Sequence, residues 1–288
     1  RASTATRINS QGLIETVASN VPRLDYSNGD CPSLLLEPQS TNLYLNSENL
    51  ASQNVSTSAS TYTVSFYGNG TITFSGTYAG SLVGTGENNR VVLTFTATAG
   101  TLINTVSGTV DDAQCENLDF VTSYIPTAGT TQTRVSETCE GAGDSSSINS
   151  EEGVLYAEIS ALGDGGVRMI SISDGSVNNQ VSFEYSVITN LIRIRLTSEG
   201  VEQSFYQSTS FDYLQYHKIA ILYKLNNFKV FIDGNNVYTD TGSTMPINLN
   251  KLSFANANAS AKFEGNTKDL RVYNTGLTDS ELQALTTI

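Results

Sequence analysis

The sequence predicts an all-β protein made of two sandwiches and one short C-terminal helix. Three observations carry that prediction. Short runs alternate apolar and polar residues from about residue 60 to residue 273, which is the period of a strand with one buried face. Gly, Asn and Asp clusters separate these runs, and no helical period lies between them. Charged residues make up only 15% of the chain, against roughly 25% in ordinary globular proteins, and Ser, Thr, Asn and Gly fill the difference, as suits twisted sheets. A length of 288 residues is enough for two domains with cores of their own.

Residues 1–50 hold Pro22, Pro32 and Pro38, the turn Ser27-Asn-Gly-Asp30 and one apolar burst, Leu34 to Leu36. They read as an extended N-terminal arm, with the leucines as a strand that pairs with a neighbouring domain or subunit. Residues 51–135 read as a small antiparallel sandwich. Tyr62, Val64 and Phe66 alternate, then Ile72 and Phe74, then Leu93, Phe95 and Ala97, with Thr94 and Thr96 on the solvent side. Gly68-Asn-Gly70 suits a tight hairpin between the first two strands. Residues 136–150 lie in a stretch low in apolar content and rich in Gly and Ser, and read as a linker.

Strands resume in 151–288 and are longer: Val154 to Ser160, Arg168 to Ile172, Val181 to Tyr185, Ile192 to Leu196, Lys218 to Tyr223 and Phe228 to Ile232. Regular strands without intervening helices imply a sandwich or jelly roll. Asp233-Gly-Asn-Asn236 is the clearest hairpin signal, because positive φ costs Gly and Asn little. Lys268 to Tyr273 reads as a closing strand and Asn274-Thr-Gly276 as its turn. Thr278 and Glu281 stand at capping-box spacing before a helix of about two turns, with Leu282 and Leu285 facing the sandwich.

Charge and composition exclude several functions. A net charge of −13 and a pI near 4.4 repel polyanions, so neither nucleic acid nor an anionic membrane suits as a partner. No run approaches the roughly 18 apolar residues that span a bilayer, and Arg1-Ala-Ser-Thr-Ala-Thr-Arg7 has no apolar core for export. Starting at Arg1, the chain reads as a processed product or the ordered part of something longer. Cys31, Cys115 and Cys139 fit neither a disulfide framework nor a zinc site; they read as packing or free thiols, consistent with assembly in a reducing compartment.

Several stretches resemble the laminin-G-like, concanavalin A-like jelly roll of bacteriophage virion proteins. The carriers are Asn149-Ser-Glu-Glu-Gly-Val-Leu-Tyr-Ala-Glu-Ile159, Ile170-Ser-Ile-Ser-Asp-Gly175, His217-Lys-Ile-Ala-Ile-Leu-Tyr-Lys224, Val230-Phe-Ile-Asp-Gly234 and the closing Lys268 to Leu285. Arg1 to Asn9, Gly12 to Glu15, Val21 to Tyr26 and Ser33 to Leu43 resemble the arm that precedes such modules. Glu116 and Thr122 to Thr127 resemble the end of a carbohydrate-binding-module-like sandwich. The resemblance implies a tail fibre, head fibre or capsid decoration on the virion surface, assembled in the host cytoplasm. It also implies a homo-trimer whose arm docks to other virion proteins and whose jelly roll meets host-surface carbohydrate. Two rivals stay open: a purely structural decoration protein making protein contacts, and a secreted bacterial lectin or glycanase accessory domain.

The chemistry-bearing residues favour binding over catalysis. The laminarinase-like relatives of this fold carry Glu-x-Asp-x-x-Glu on one strand, and that pattern does not occur here. Glu158 stands alone on its strand, and Asp111 and Asp112 point to opposite faces of theirs. His217 has no sequentially attached acid or nucleophile and reads as a packed or solvated residue. No cofactor is called for; Asp164-Gly-Gly166, Asp174-Gly175 and Asp233-Gly234 offer oxygens that calcium could take, or simply turn chemistry. Sugar binding needs an aromatic face beside planar polar groups. There is no Trp among the residues, but Tyr185, Tyr206, Tyr213 and Tyr216 cluster in the C-terminal domain. Arg193 and Arg195 alternate with Ile192, Ile194 and Leu196, so both guanidinium groups leave the face opposite the core. These six residues are the candidate carbohydrate site, against the alternative of an ordinary solvated face.

Overall fold

Strand periodicity sets the architecture of both units of the chain. A computed structural model describes residues 1–163 and 166–288. Unit one comprises Arg1–Pro32 and Glu37–Glu137; unit two comprises Ser33–Leu36 and Thr138–Ile288.

Unit one opens with a hairpin of β1 (Ala5–Ile8) and β2 (Ile14–Val17), followed by the short β3 (Leu24–Asp25). Next along the chain, β4 (Ser33–Leu36) belongs to unit two. β5 (Ser40–Asn42), β6 (Gln53–Thr57), β7 (Ser60–Gly68), β8 (Thr71–Gly76), β9 (Gly80–Val83), β10 (Gly86–Ala97), β11 (Gly100–Ser107), β12 (Asp111–Glu116) and β13 (Gln132–Arg134) return to unit one. One sheet has the order β10-β7-β12 and faces another of order β6-β11-β8-β9, while β5 pairs with β13. Val64, Phe66, Ile72, Leu102 and Cys115 are fully buried between the sheets, and Thr94 and Thr96 face solvent. Burial pushes the Cys115 thiol well above its ordinary range.

Three expectations need correction here. Residues 1–50 do not make a separate extended arm: most of them fold into unit one, and Ser33–Leu36 adds a strand to a sheet of unit two. The reason is a buried ionic cluster that the sequence pattern does not display. Arg23 Nη1 and Arg134 Nη1 lie 2.7 and 2.9 Å from Glu37 Oε2, and Arg23 also donates to both carboxylate oxygens of Glu137. All four side chains are at most 6% exposed. Gly68-Asn-Gly70 is likewise not a hairpin, since β7 and β8 lie in different sheets. It is a crossing between layers, where a Cβ on Gly68 would come within 2.3 Å of the Thr109 carbonyl. Finally, the stretch expected as a linker begins unit two: Ala142 bridges Leu252, and Ile148 enters the core.

Unit two continues with β14 (Glu152–Ala161), β15 (Arg168–Ser173), β16 (Gln180–Tyr185), β17 (Ile192–Ser198) and β18 (Val201–Ser208). It is completed by β19 (His217–Lys224), β20 (Phe228–Ile232), β21 (Asn235–Asp240), β22 (Lys251–Ser253), β23 (Gly265–Tyr273) and α1 (Asp279–Thr286). Within the unit, one sheet runs β21-β20-β19-β14-β23-β4 and the other β18-β17-β16-β15-β22. Leu155, Ile159, Ile219 and Ile221 of the first meet Ile170, Ile172, Phe183, Ile192, Ile194 and Leu196 of the second. Asp233 and Gly234 both hold positive φ, 48° and 78°, and close the β20–β21 hairpin as the sequence predicts.

The closing segment also matches its expectation. The Thr278 hydroxyl accepts from Glu281 N, and Thr278 N donates to the Glu281 carboxylate at 2.8 Å. So short a helix is marginal alone, and docking stabilises it. Leu282 is fully buried against Val154, Tyr156, Ala220, Leu222 and Phe231 on the outer face of the first sheet, which contributes about 1.5–3 kcal/mol.

Candidate functional site

The second sheet of unit two has one face in the core and one outside it, and register determines which residues share the outer face. Ile192, Ile194 and Leu196 point inward and are fully buried, so Arg193, Arg195 and Thr197 point outward. Pairing extends these into three cross-strand rows. The first carries Lys262, Met169, Glu184, Arg193 and Gln207. The second carries Ser253, Ser171, Ser182, Arg195 and Phe205, and the third Lys251, Ser173, Gln180, Thr197 and Glu202. Ser171 and Ser182 are buried, so the accessible part of the face lies over β17 and β18.

The two arginines on this face are held differently. Arg193 Nη1 donates to Glu184 Oε1 at 2.9 Å, and the Glu184 side chain is only 8% exposed. Arg195 is the freer: its Cζ stands 5.4 Å from the centroid of the Phe205 ring, a stacking distance for a guanidinium. Its Nε lies 3.8 Å from Glu202 Oε2, too far for a hydrogen bond. That Nε is buried and has no hydrogen-bond partner, and the same is true of Gln180 Oε1. Gln180 opposes Thr197, two residues along from Arg195, so Gln180 and Arg195 share one face; the Nε atoms of Arg1, Arg90 and Arg134 are also buried without a hydrogen-bond partner. Buried polar groups are normally satisfied.

The remaining sequence candidates are not brought together. Tyr185 and Tyr213 are fully buried and stack on each other at 5.1 Å within the core, so neither can offer a ring to a ligand. Parity explains this: Tyr185 shares the phase of Val181 and Phe183, which face inward. Burial raises the Tyr185 hydroxyl well above its ordinary range. Tyr206 opposes the inward Ile194 and packs against Tyr238 at 5.9 Å. Tyr216 lies away from this face, under the Lys268 ammonium 4.0 Å from its centroid. Sequence reasoning thus places Arg193 and Arg195 on one face but misses Phe205, Gln180 and Gln207. Phe205 was legible only as the odd-phase partner of Tyr206, once β18 was set beside β17.

His217 is packed as expected: Nδ1 lies 2.5 Å from Asp233 Oδ2, Nε2 lies 2.9 Å from the Asp212 carbonyl, and the Phe211 ring sits 4.0 Å away. The calcium candidates follow turn chemistry. Asp174 accepts from Ser176 N, Ser176 Oγ and Asn179 Nδ2 at 2.7–2.9 Å, and Asp233 accepts from Lys218 N at 3.0 Å. Asp164 lies outside the described residues. Among the described residues, no three His, Cys, Asp or Glu side chains converge as a metal site. A cleft of about 400 Å³ lined by Glu151, Glu152, Lys224, Leu225 and Met245 lies off the arginine face.

Residues 156–283 match the family described as the concanavalin A-like lectin/glucanases superfamily, Laminin_G_3. Unit two therefore carries a concanavalin A-like jelly roll. No curated protein matches the chain. Among solved structures, the concanavalin A-like domain is similar to the Ruminococcus gnavus IT-sialidase CBM40, with TM-score 0.42, 13% identity, and coverage of 53% of this chain and 97% of that one. A heptameric SAP-like pentraxin from Limulus polyphemus aligns with TM-score 0.40 and 9% identity, over 50% of this chain and 72% of that one. The binding domain of botulinum neurotoxin DC in complex with SialylT aligns with TM-score 0.35 and 15% identity, over 47% of this chain and 35% of that one.

Proposed function

We propose that the concanavalin A-like domain is a carbohydrate-recognition module and that the outer face of β17 and β18 is its binding surface. The observation that carries this reading is a planar donor set beside a ring on one face: the partly exposed Arg195 guanidinium stands 5.4 Å from the Phe205 centroid. Phe205 offers an apolar ring for a pyranose face, and Arg193, fixed by Glu184, adds a second planar donor. The family match lends support, because the family is described by lectins as well as glucanases. The carboxylates of Glu184 and Glu202 sit in different rows, one paired with Arg193 and the other half-exposed.

The test is a glycan array with the full chain beside Arg195→Ala and Phe205→Ala. Binding by the parent chain that both variants reduce tenfold or more supports the reading; binding that neither variant changes places the site elsewhere. The wider proposal is display on a virion surface, as a trimeric fibre or decoration that multiplies weak sugar contacts. It rests on the resemblance of the closing segment and the N-terminal residues to phage structural proteins. Adsorption that survives deletion of residues 151–288 from the particle would count against it.

A further inference from the structure

The sandwich of unit one is nearly free of charge in a chain that carries −13. Residues 49–110, which form β6 to β11, hold only Glu87 and Arg90 as charged residues, and these two cancel, so the rest of the chain carries the whole excess. One strand edge inside this neutral region is open. β10 ends its sheet, and among the described residues no strand pairs with its other side. The register break between Gly86 and Val91 bounds the open edge at one end, and the bond from Thr98 N to the Thr77 carbonyl bounds it at the other. Between them runs Val91-Val-Leu-Thr-Phe-Thr-Ala97, without Lys, Pro or any charged residue. Sheet edges are normally blunted by Lys, Pro, inward charge or a bulge, and β-branched and aromatic side chains favour strand pairing. Phe95 and Ala97 are buried, yet Val91 and Leu93, of the same inward phase, are only half-buried, and Val92 on the outer face is exposed. The core of unit one is therefore left unsealed along this edge.

We propose that the open edge of β10 is the contact between two copies of this chain, paired antiparallel about Thr94. The proposal concerns unit one and stands apart from both the saccharide reading and the threefold display above. Charge selects a second copy as the occupant. A chain of −13 repels its own copy, and residues 91–97 let two copies meet with no charged side chain on either strand. Phase points the same way. Antiparallel pairing about Thr94 sets Thr94 opposite itself, Leu93 opposite Phe95, Val91 opposite Ala97 and Val92 opposite Thr96. Each pair joins residues of one phase, so inward side chains meet inward ones across the contact, and the half-buried Val91 and Leu93 gain cover. The three-stranded sheet is doubled, and a twofold contact of this kind closes on itself.

The experiment is sedimentation velocity of the full chain from about 1 to 100 µM, at low and high salt. The proposal expects the mass of two chains at the upper concentrations, with association tightening as salt screens the repulsion between two acidic chains. Thr94→Lys sets like charges directly opposite each other and should weaken association by about tenfold or more, as should Thr94→Glu. An equal mixture of the two variants should restore the two-chain species, because residue 94 then faces its opposite charge. That rescue cannot come from misfolded chains. Thr101→Lys, exposed on β11 of the facing sheet, should leave association unchanged. A one-chain mass at every concentration and salt overturns the proposal, and so does any assembly that Thr94→Lys leaves intact. Loss in both Thr94 variants without rescue in the mixture overturns the pairing about Thr94. Equal loss in Thr101→Lys overturns the assignment to the β10 edge.

Discussion

Arginines in the two units perform opposite tasks, and the difference between them separates scaffold from site. In unit one, Arg23 and Arg134 are at most 1% exposed, and Glu37 and Glu137 engage them with the help of Ser123. In unit two, Arg195 is 34% exposed and has a ring beneath it but no bonded partner for its Nε. A guanidinium buried among carboxylates fixes chain segments; one left partly exposed at a surface is available to a ligand. Arg193, paired to one buried carboxylate yet 26% exposed itself, lies between the two cases.

Breaking the buried cluster should have the largest effect. Arg23→Met takes from the buried Glu37 and Glu137 the one cation that engages both, and removing one member of a buried pair typically costs about 3–5 kcal/mol. Urea unfolding followed by a probe in unit one should show that loss. A cost under about 1 kcal/mol would mean that the cluster is a surface ornament and that the contrast with Arg195 is false.

Acid should act next, and also on unit one. Burial pushes the Glu37 carboxyl up, but Arg134 and Arg23 outweigh it and hold it at about 2. A depressed carboxylate contributes stability that is fully present above its unfolded value and is lost as pH falls toward the folded one. The stability from Glu37 should therefore be intact at neutral pH and disappear between roughly pH 4.5 and pH 2. Urea midpoints across that window should fall more steeply for the parent than for Glu37→Gln, which has already lost the titrating group. Parallel slopes would break the argument.

The same comparison explains what could be read from the chain beforehand. Strand phase was legible, because alternation at Ile192, Ile194 and Leu196 dictates that Arg193 and Arg195 face away from the core. The capping box was legible because its chemistry is local, within Thr278 and Glu281. Arg23, Glu37 and Arg134 were not, since their partners lie about a hundred residues apart and nothing near any of them signals burial. The tyrosines show the other kind of error. Tyr185 and Tyr213 were grouped by their chemistry, although the parity of Val181, Phe183 and Tyr185 already placed one of them inside. Phe205 needed the pairing of two strands, which no single segment contains.

An intermediate case sharpens the contrast. Arg193→Gln removes the partner of Glu184, whose side chain is 8% exposed, but leaves an amide that can still donate. Its cost should fall near 1 kcal/mol, between a buried and an exposed ion pair, as read by thermal unfolding of unit two. If it equals the cost of Arg23→Met, Arg193 belongs with the scaffold and not with the binding face.

The smallest effect on stability should come from Arg195 itself, and that is the decisive end of the scale. The carboxylate paired with it is that of Glu202, half-exposed and at 3.8 Å beyond hydrogen-bonding distance, so solvent screens what attraction remains. Its contact with Phe205 is partly exposed, where such stacking contributes about 0.5–1 kcal/mol. The variant also removes a buried unpaired Nε, which offsets part of that loss. Arg195→Gln should therefore shift the unfolding midpoint of unit two by no more than about 0.5 kcal/mol, while abolishing saccharide binding. A residue whose removal leaves the fold untouched and empties the site is retained for its ligand, whereas Arg23 is retained for the fold. Measured on the same protein, a large stability loss at Arg195 with no change in binding would reverse the two assignments.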